Sequence, residues 1–334
     1  MVSPLSKGLF RAAISESGFP SARALKQAAD DTQKFAASLG CTGQGGDLAA
    51  CLQRLPAERI LAAAKETPAK PFSNISFDWG PVVDGVDMPV YPVKLWLEGR
   101  SHSVPLMGGT NTDEGNLFIY PEHLFGMDAS AFRETVVDLN EVTENVAKLN
   151  ASGFSLVYAK YPAVQADNRP LAAQLLTDAT FLCGTWYAMN KHSKRVDTFV
   201  YRFDHHSSCP GDPAAKLIPG AFHGTEIPYV FGHFTDAAGI PCLLSSDEKA
   251  LSSRMQTLWA NFAKYLNPTP HGASENLGTF PRYNSSSRIG RVFRAAADGH
   301  DEDYRGQFCN LWDALSFSKI AHADDHSLLS GLIV

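Results

Sequence analysis

Two loops hold residue types suited to proton transfer. In "GGTNTDEGNLF", residues 108–118, Glu114 lies in a glycine-bounded loop after a strand-like run. In "GAFHGTEIPYVFG", residues 220–232, His223 sits between Phe222 and Gly224, just ahead of a short helical stretch. A loop histidine beside glycine can approach another group closely. An acid preceding a histidine along the chain fits the order Ser…Asp/Glu…His of one class of acyl-transfer triads. Each loop taken alone has a plainer reading: a solvated acidic turn for Glu114, an ordinary partly buried histidine for His223. The nucleophile is the difficulty. "RAAISESG", Arg11–Gly18, ends an apolar run in serines beside a glycine. A nucleophile elbow reads G-x-S-x-G because the chain turns sharply around its serine. Ser17 has Ser15 two residues before it, and Ser15 has Ala13 and Ser17 in the two glycine positions. No G-x-S-x-G precedes Glu114.

The elements that must position these loops alternate between short β-rich runs and longer helical ones, an α/β pattern. "AAISESG", the run into "LMGGTN", "VDTFVYRFDH" and "GRVFRAA" read as strands. "SARALKQAADDTQKFAASLG" has helical spacing, with Leu25, Ala28, Phe35 and Leu39 on one face and Gly40 as its stop. "DLAACLQRL" and "PAERILAAAKE" read as two short helices, the second opened by Pro56. Residues 169–193 and 247–266 read as long amphipathic helices, and "WGPVVDGVDMPVYP" as loop and turn. No internal repeat or linker divides the chain.

Bulk properties exclude several classes. The 334 residues are 44% hydrophobic and 19% charged, enough for a sizeable core and unlike a disordered chain. The formal charge of −6, with no Lys/Arg cluster, supplies no nucleic-acid footprint. No apolar run reaches the roughly 20 residues of a membrane-spanning helix, and "SLLSGLIV" reads as a packed tail. His205 and His206 in "DHHSSC" do not read as metal ligands, since neighbours on a strand point to opposite faces. No metal and no cofactor is expected. The compartment signals conflict. Six cysteines without a C-x-x-C pair and sequons at Asn74, Asn150 and Asn284 favour an oxidising, secreted setting with glycosylation, yet "MVSPLSKGLF" is no signal peptide.

Five segments in order carry a resemblance. "SPLSKGLFRAAISESG", "GPVVDG", "VPLMGGTNTDEGNLF", "FHGTEIPYVFG" and "LWANFAKYLNP" closely resemble the type-B carboxylesterase/lipase family, which includes the cholinesterases. The resemblance covers essentially the whole chain. It implies an α/β-hydrolase fold: a mixed, mostly parallel sheet with flanking helices. It implies acyl transfer on a small ester or lipid, with Glu114 as the catalytic acid and His223 as the base. Ser17 matches a family serine that supports the acid by a hydrogen bond. Phe77, Trp79, Leu117, Phe118 and Phe222 match or adjoin pocket positions, each of which could equally be plain core. Leu117 stands where choline-binding relatives carry an aromatic, which argues against choline esters.

The resemblance also implies two disulfides, Cys41–Cys51 and Cys183–Cys309. Cys209 and Cys242, flanking the His223 segment, are then left as a third pair; six free buried thiols are the alternative. In the family the nucleophile elbow lies shortly before "SPLSKGLF". Residues 1–334 therefore read as the C-terminal part of one type-B domain, with nucleophile and oxyanion hole upstream of Met1. The chain alone is then expected to be inactive and to expose a sheet edge. Two alternatives stand beside this: a non-catalytic cholinesterase-like binding or adhesion protein, and a split enzyme completed by a separate N-terminal chain.

Overall fold

The computed structural model describes residues 1–18, 22–43, 45–66, 79–142, 149–209, 216–236 and 238–317. Asn74 and Phe77 lie outside them. Seven strands are present among the described residues: β1 (Ala13–Glu16), β2 (Arg23–Ala24), β3 (Val82–Val83), β4 (Leu106–Asn111), β5 (Thr198–Phe203), β6 (Ile289–Phe293) and β7 (Gly299–Glu302). The main sheet runs β1-β4-β5-β6-β7, parallel throughout except for the antiparallel β7. β2 and β3 form a separate parallel pair.

The central strands are buried on both faces, as parallel strands usually are. Every residue of β4 and β5 is buried. Phe199, Tyr201 and Phe203 pack against the long helix α11 (Ser246–Tyr265) through Met255, Leu258 and Phe262. On the other face, Leu106 and Val200 pack on Trp186 and Met189 of α9 (Cys183–His192) and Trp96 of α4 (Pro92–Leu97). A second core joins α5 (Asn116–Ile119), α6 (Ala129–Val142), α7 (Ala151–Lys160), α8 (Arg169–Leu176) and α12 (Gly306–Trp312). Among the described residues no helix is long and apolar enough to cross a membrane.

The "RALKQ" segment enters as β2 and continues as α1 (Leu25–Ser38). Leu25, at the first helical position, is more than half exposed, so the buried face begins further along, with Ala36 buried and Leu39 following. The two short helices are α2 (Gly46–Gln53) and α3 (Ala57–Glu66). Residues 169–193 are not one regular helix. Between α8 and α9 the chain widens into a π segment, Thr177–Leu182. The Thr177 hydroxyl donates to the Ala173 carbonyl at 2.8 Å and accepts the Gly115 N–H at 2.9 Å. Threonine back-bonding of this kind bends helices, and π bulges concentrate at functional sites.

Three disulfides are formed: Cys41–Cys51, Cys183–Cys309 and Cys209–Cys242. The second ties α9 to α12; the third closes a loop of sequence separation 33 around His223. Below α12, Asp178 is wholly buried and held by both arms of Arg305, by the Tyr161 hydroxyl at 2.7 Å and by Gln174. A buried carboxylate stripped of its cation is costly. Arg305→Ala should therefore destabilise the chain by about 3–5 kcal/mol in urea denaturation. Arg282→Ala, which breaks the exposed pair with Asp197, should change it by less than about 1 kcal/mol. Equal effects would contradict this account of the Asp178 cluster.

Candidate active site

The strand run "LMGGTN" ends in a tight loop that turns Glu114 back beneath its own strand. Glu114 has no exposed surface. Its Oε1 accepts the backbone N–H of Asn111 at 2.7 Å and the hydroxyl of Ser17. Its Oε2 accepts from Nδ1 of His223 at 2.7 Å. Ser17 follows β1 with a positive φ of 54°, which turns its hydroxyl in from the neighbouring strand. The next residue, Gly115, admits no side chain: a Cβ there would lie 2.1 Å from the carbonyl oxygen of Ala173. α8 thus packs directly on the acid loop.

His223 lies on the loop between β5 and α10 (Ile227–Phe231). A carboxylate can only accept, so Nδ1 carries the proton and, in the neutral ring, Nε2 carries the lone pair. The His223 side chain is 36% exposed, and among the described residues no hydroxyl or thiol hydrogen-bonds to Nε2. The imidazole is oriented from behind and open in front, an arrangement able to take a proton and return it.

Two aromatic rings flank the histidine. Phe181, from the π segment, lies 4.9 Å from the imidazole centroid, and Phe118 lies 5.6 Å away. The two phenyl rings stack on each other. Phe222 and Ile218 form a small apolar cluster with Leu117 packed on it. Trp79 is 66% exposed and meets Phe35 of α1 edge-on. The structure thus brings Ser17, Glu114, His223, Phe118, Leu117 and Phe222 together, and gives Trp79 a different neighbour. Asn150 is exposed and caps α7, and Asn284 is exposed in a turn. His205 contacts Glu248, whereas His206 contacts the Gly220 carbonyl.

Motif reading missed three participants. Phe181 sits in a helical run with no signature of its own. Asn111 donates through Nδ2 to the Phe222 carbonyl at 2.8 Å and to the carboxyl of Glu226. Glu226, buried at the start of α10, is pushed up to about 7 by burial and then by the charge of Glu114, while the Asn111 amide favours its ionised form. His223 is also raised: burial favours its neutral form, but the hydrogen bond and charge of Glu114, with Glu226 adding, outweigh it. "FHGTE" did offer the carboxyl, but nothing in its spacing shows that Asn111 and Glu114 surround it.

These shifts set the sign of the pH dependence. A carboxyl raised from 4.5 to about 7 contributes stability that is complete below 4.5 and lost as pH rises through 7. His223 adds a loss above its ordinary 6.5. Stability should therefore fall between pH 5 and 7.5, and Glu226→Gln should flatten that fall by up to about 3 kcal/mol. By NMR titration, Glu114→Gln should lower the His223 pKa more than Glu226→Gln does. An unchanged slope in Glu226→Gln would contradict the assignment.

Comparisons with known proteins identify the family and the fold. A sequence model described as "Carboxylesterase family" matches residues 1–312. Carboxylesterase 4A of Bos taurus is 30% identical over 312 residues, covering 86% of this chain and 53% of the relative. Para-nitrobenzyl esterase of Bacillus subtilis (strain 168) is 30% identical over 296 residues, covering 85% and 53%. A solved PNB esterase superposes with a TM-score of 0.71 at 26% identity, over 92% of this chain and 59% of that one. The chain spans about half the length of the curated relatives it matches. Its mostly parallel sheet with flanking helices is an α/β-hydrolase sheet, and the chain belongs to the carboxylesterase family.

Proposed function

We propose that this chain supplies the acid and the base of a serine carboxylic-ester hydrolase. The observation that carries the reading is the buried Glu114 carboxylate bonded to Nδ1 of a His223 whose other edge is open. His223 takes the proton of a nucleophilic serine as the serine oxygen attacks the ester carbonyl. It then returns that proton to the leaving alcohol. Water repeats the sequence to free the acid and the serine. Glu114 holds the tautomer and stabilises the imidazolium. Ser17 orients Glu114, its hydroxyl being committed to that carboxylate.

The nucleophile and the oxyanion N–H groups belong to sequence outside these 334 residues. The support is that no described hydroxyl hydrogen-bonds to His223, and that the chain spans only about half the length of the curated relatives it matches. The chain alone is inactive in this reading. Residues 1–334 form the C-terminal part of one hydrolase domain, completed by an N-terminal segment of the same protein or by a separate chain that adds a strand at the β1 edge. The persistence of the Glu114–His223 pair favours this over a binding or adhesion role. The substrate is a neutral ester with an apolar acyl or lipid group, lodged against Phe118, Phe181 and Phe222. Leu117 gives a quaternary ammonium no aromatic face. Three disulfides and exposed sequons at Asn150 and Asn284 fit a secreted glycoprotein.

Joined to an N-terminal carboxylesterase half that carries a G-x-S-x-G elbow, the chain should hydrolyse p-nitrophenyl esters. His223→Ala should then cost about 10⁴–10⁶-fold in kcat. Ser17→Ala should cost roughly 10- to 100-fold, the worth of one hydrogen bond to a charged group. Activity that survives His223→Ala would refute the reading.

A further inference from the structure

The acid and base lie 109 residues apart in sequence, yet they meet at 2.7 Å. Four hydrogen bonds fasten the backbone just before His223 to the residues around Glu114. Asn116 Nδ2 donates to the Pro219 carbonyl at 2.8 Å. Asn111 Nδ2 donates to the Phe222 carbonyl at 2.8 Å. Between them, Asp113 takes both polar groups of Ala221: its backbone N–H donates to the Ala221 carbonyl at 3.0 Å, and its Oδ2 accepts the Ala221 N–H at 2.9 Å.

We propose that Asp113 is a positioning residue, whose carboxylate and main chain clamp Ala221 and thereby set where His223 meets Glu114. The inference rests on the proposed acid–base reading. Asp113 is one residue from Glu114 and Ala221 two residues from His223, so little chain separates the clamp from the pair on either side. A loop otherwise free to shift by a fraction of an ångström would misplace the imidazole, and such errors are costly in catalysis.

A second observation supports the clamp. Gly220 has φ +74°, and a Cβ there would lie 2.1 Å from Asp113 Oδ2. The carboxylate therefore lies flat against the loop, in space that only glycine leaves. It holds this place although burial, Asp204 and Glu114 all work against its charge, with the Ala221 N–H and Arg202 in its favour.

The test follows the Nδ1 proton of His223 in the intact chain by ¹H–¹⁵N NMR, where an imidazole N–H bonded to a carboxylate resonates far downfield of backbone amides. Glu114→Gln assigns the signal by losing it. Asp113→Ala should lose or broaden it with the far-UV circular dichroism unchanged. Asp113→Asn, whose side-chain oxygen still accepts from Ala221, should retain it. Gly220→Ala, which drives the carboxylate away, should lose it, and decides the matter alone if Asp113→Ala does not fold. An undiminished signal in Asp113→Ala or Gly220→Ala, or its loss in Asp113→Asn, overturns the positioning role. Absence of the signal in the parent chain overturns the Glu114–His223 reading itself, and the positioning role with it.

Discussion

Everything at this site depends on one carboxylate that has no exposed surface. Glu114 is fully buried, and a buried charge is tolerated only when its oxygens are filled by hydrogen bonds. Three donors fill them: a backbone N–H from its own loop, a hydroxyl from the neighbouring strand, and the imidazole of a distant loop. Each donor comes from a different part of the chain. The sheet register of β1 against β4 sets the hydroxyl, the turn after β4 sets the amide, and the loop clamped at Ala221 sets the imidazole. The need to satisfy one acid thus couples the alignment of three segments.

The rest of the fold holds those segments still. Glu248 begins α11 with a capping box to Ser245 and also accepts from Tyr229, Ser208 and His205. Burial works against its charge, yet the backbone N–H groups of Ser208 and Ser245 lead in holding its carboxyl down to about 2. It fastens α10, which follows His223, to the start of α11, and Cys209–Cys242 closes the same loop covalently. Glu226 is the contrasting case. Burial first, and then the nearby charge of Glu114, push its carboxyl up to about 7.

Much of the scaffold was legible in the sequence. Strands β1, β4, β5 and β6 follow from β-rich runs ended by turn residues, and the two loops stood out because glycines bracket a carboxyl and an imidazole. The unread parts share a physical cause. β7, "GHDE", has no apolar alternation; it is a charged strand at the sheet margin, where charge guards against unwanted pairing. The π segment begins at a threonine that bonds across to Gly115, a tertiary contact without local periodicity. Glu226 and Asp113 are visible as acids, but their significance lies in partners about 110 residues away. Sequence reading recovered the pieces that carry local pattern, and missed those defined by what folds against them.

The central claim is that Glu114 and His223 act on a serine that is not among these 334 residues. The direct measurement is treatment with a fluorophosphonate probe, of the chain alone and of the chain joined to a nucleophile-bearing half, followed by tandem mass spectrometry. The account predicts no labelled serine in the chain alone and, in the joined protein, a single labelled serine within a G-x-S-x-G elbow of the added half. Covalent labelling of Ser17, or of any other serine of this chain, would contradict it.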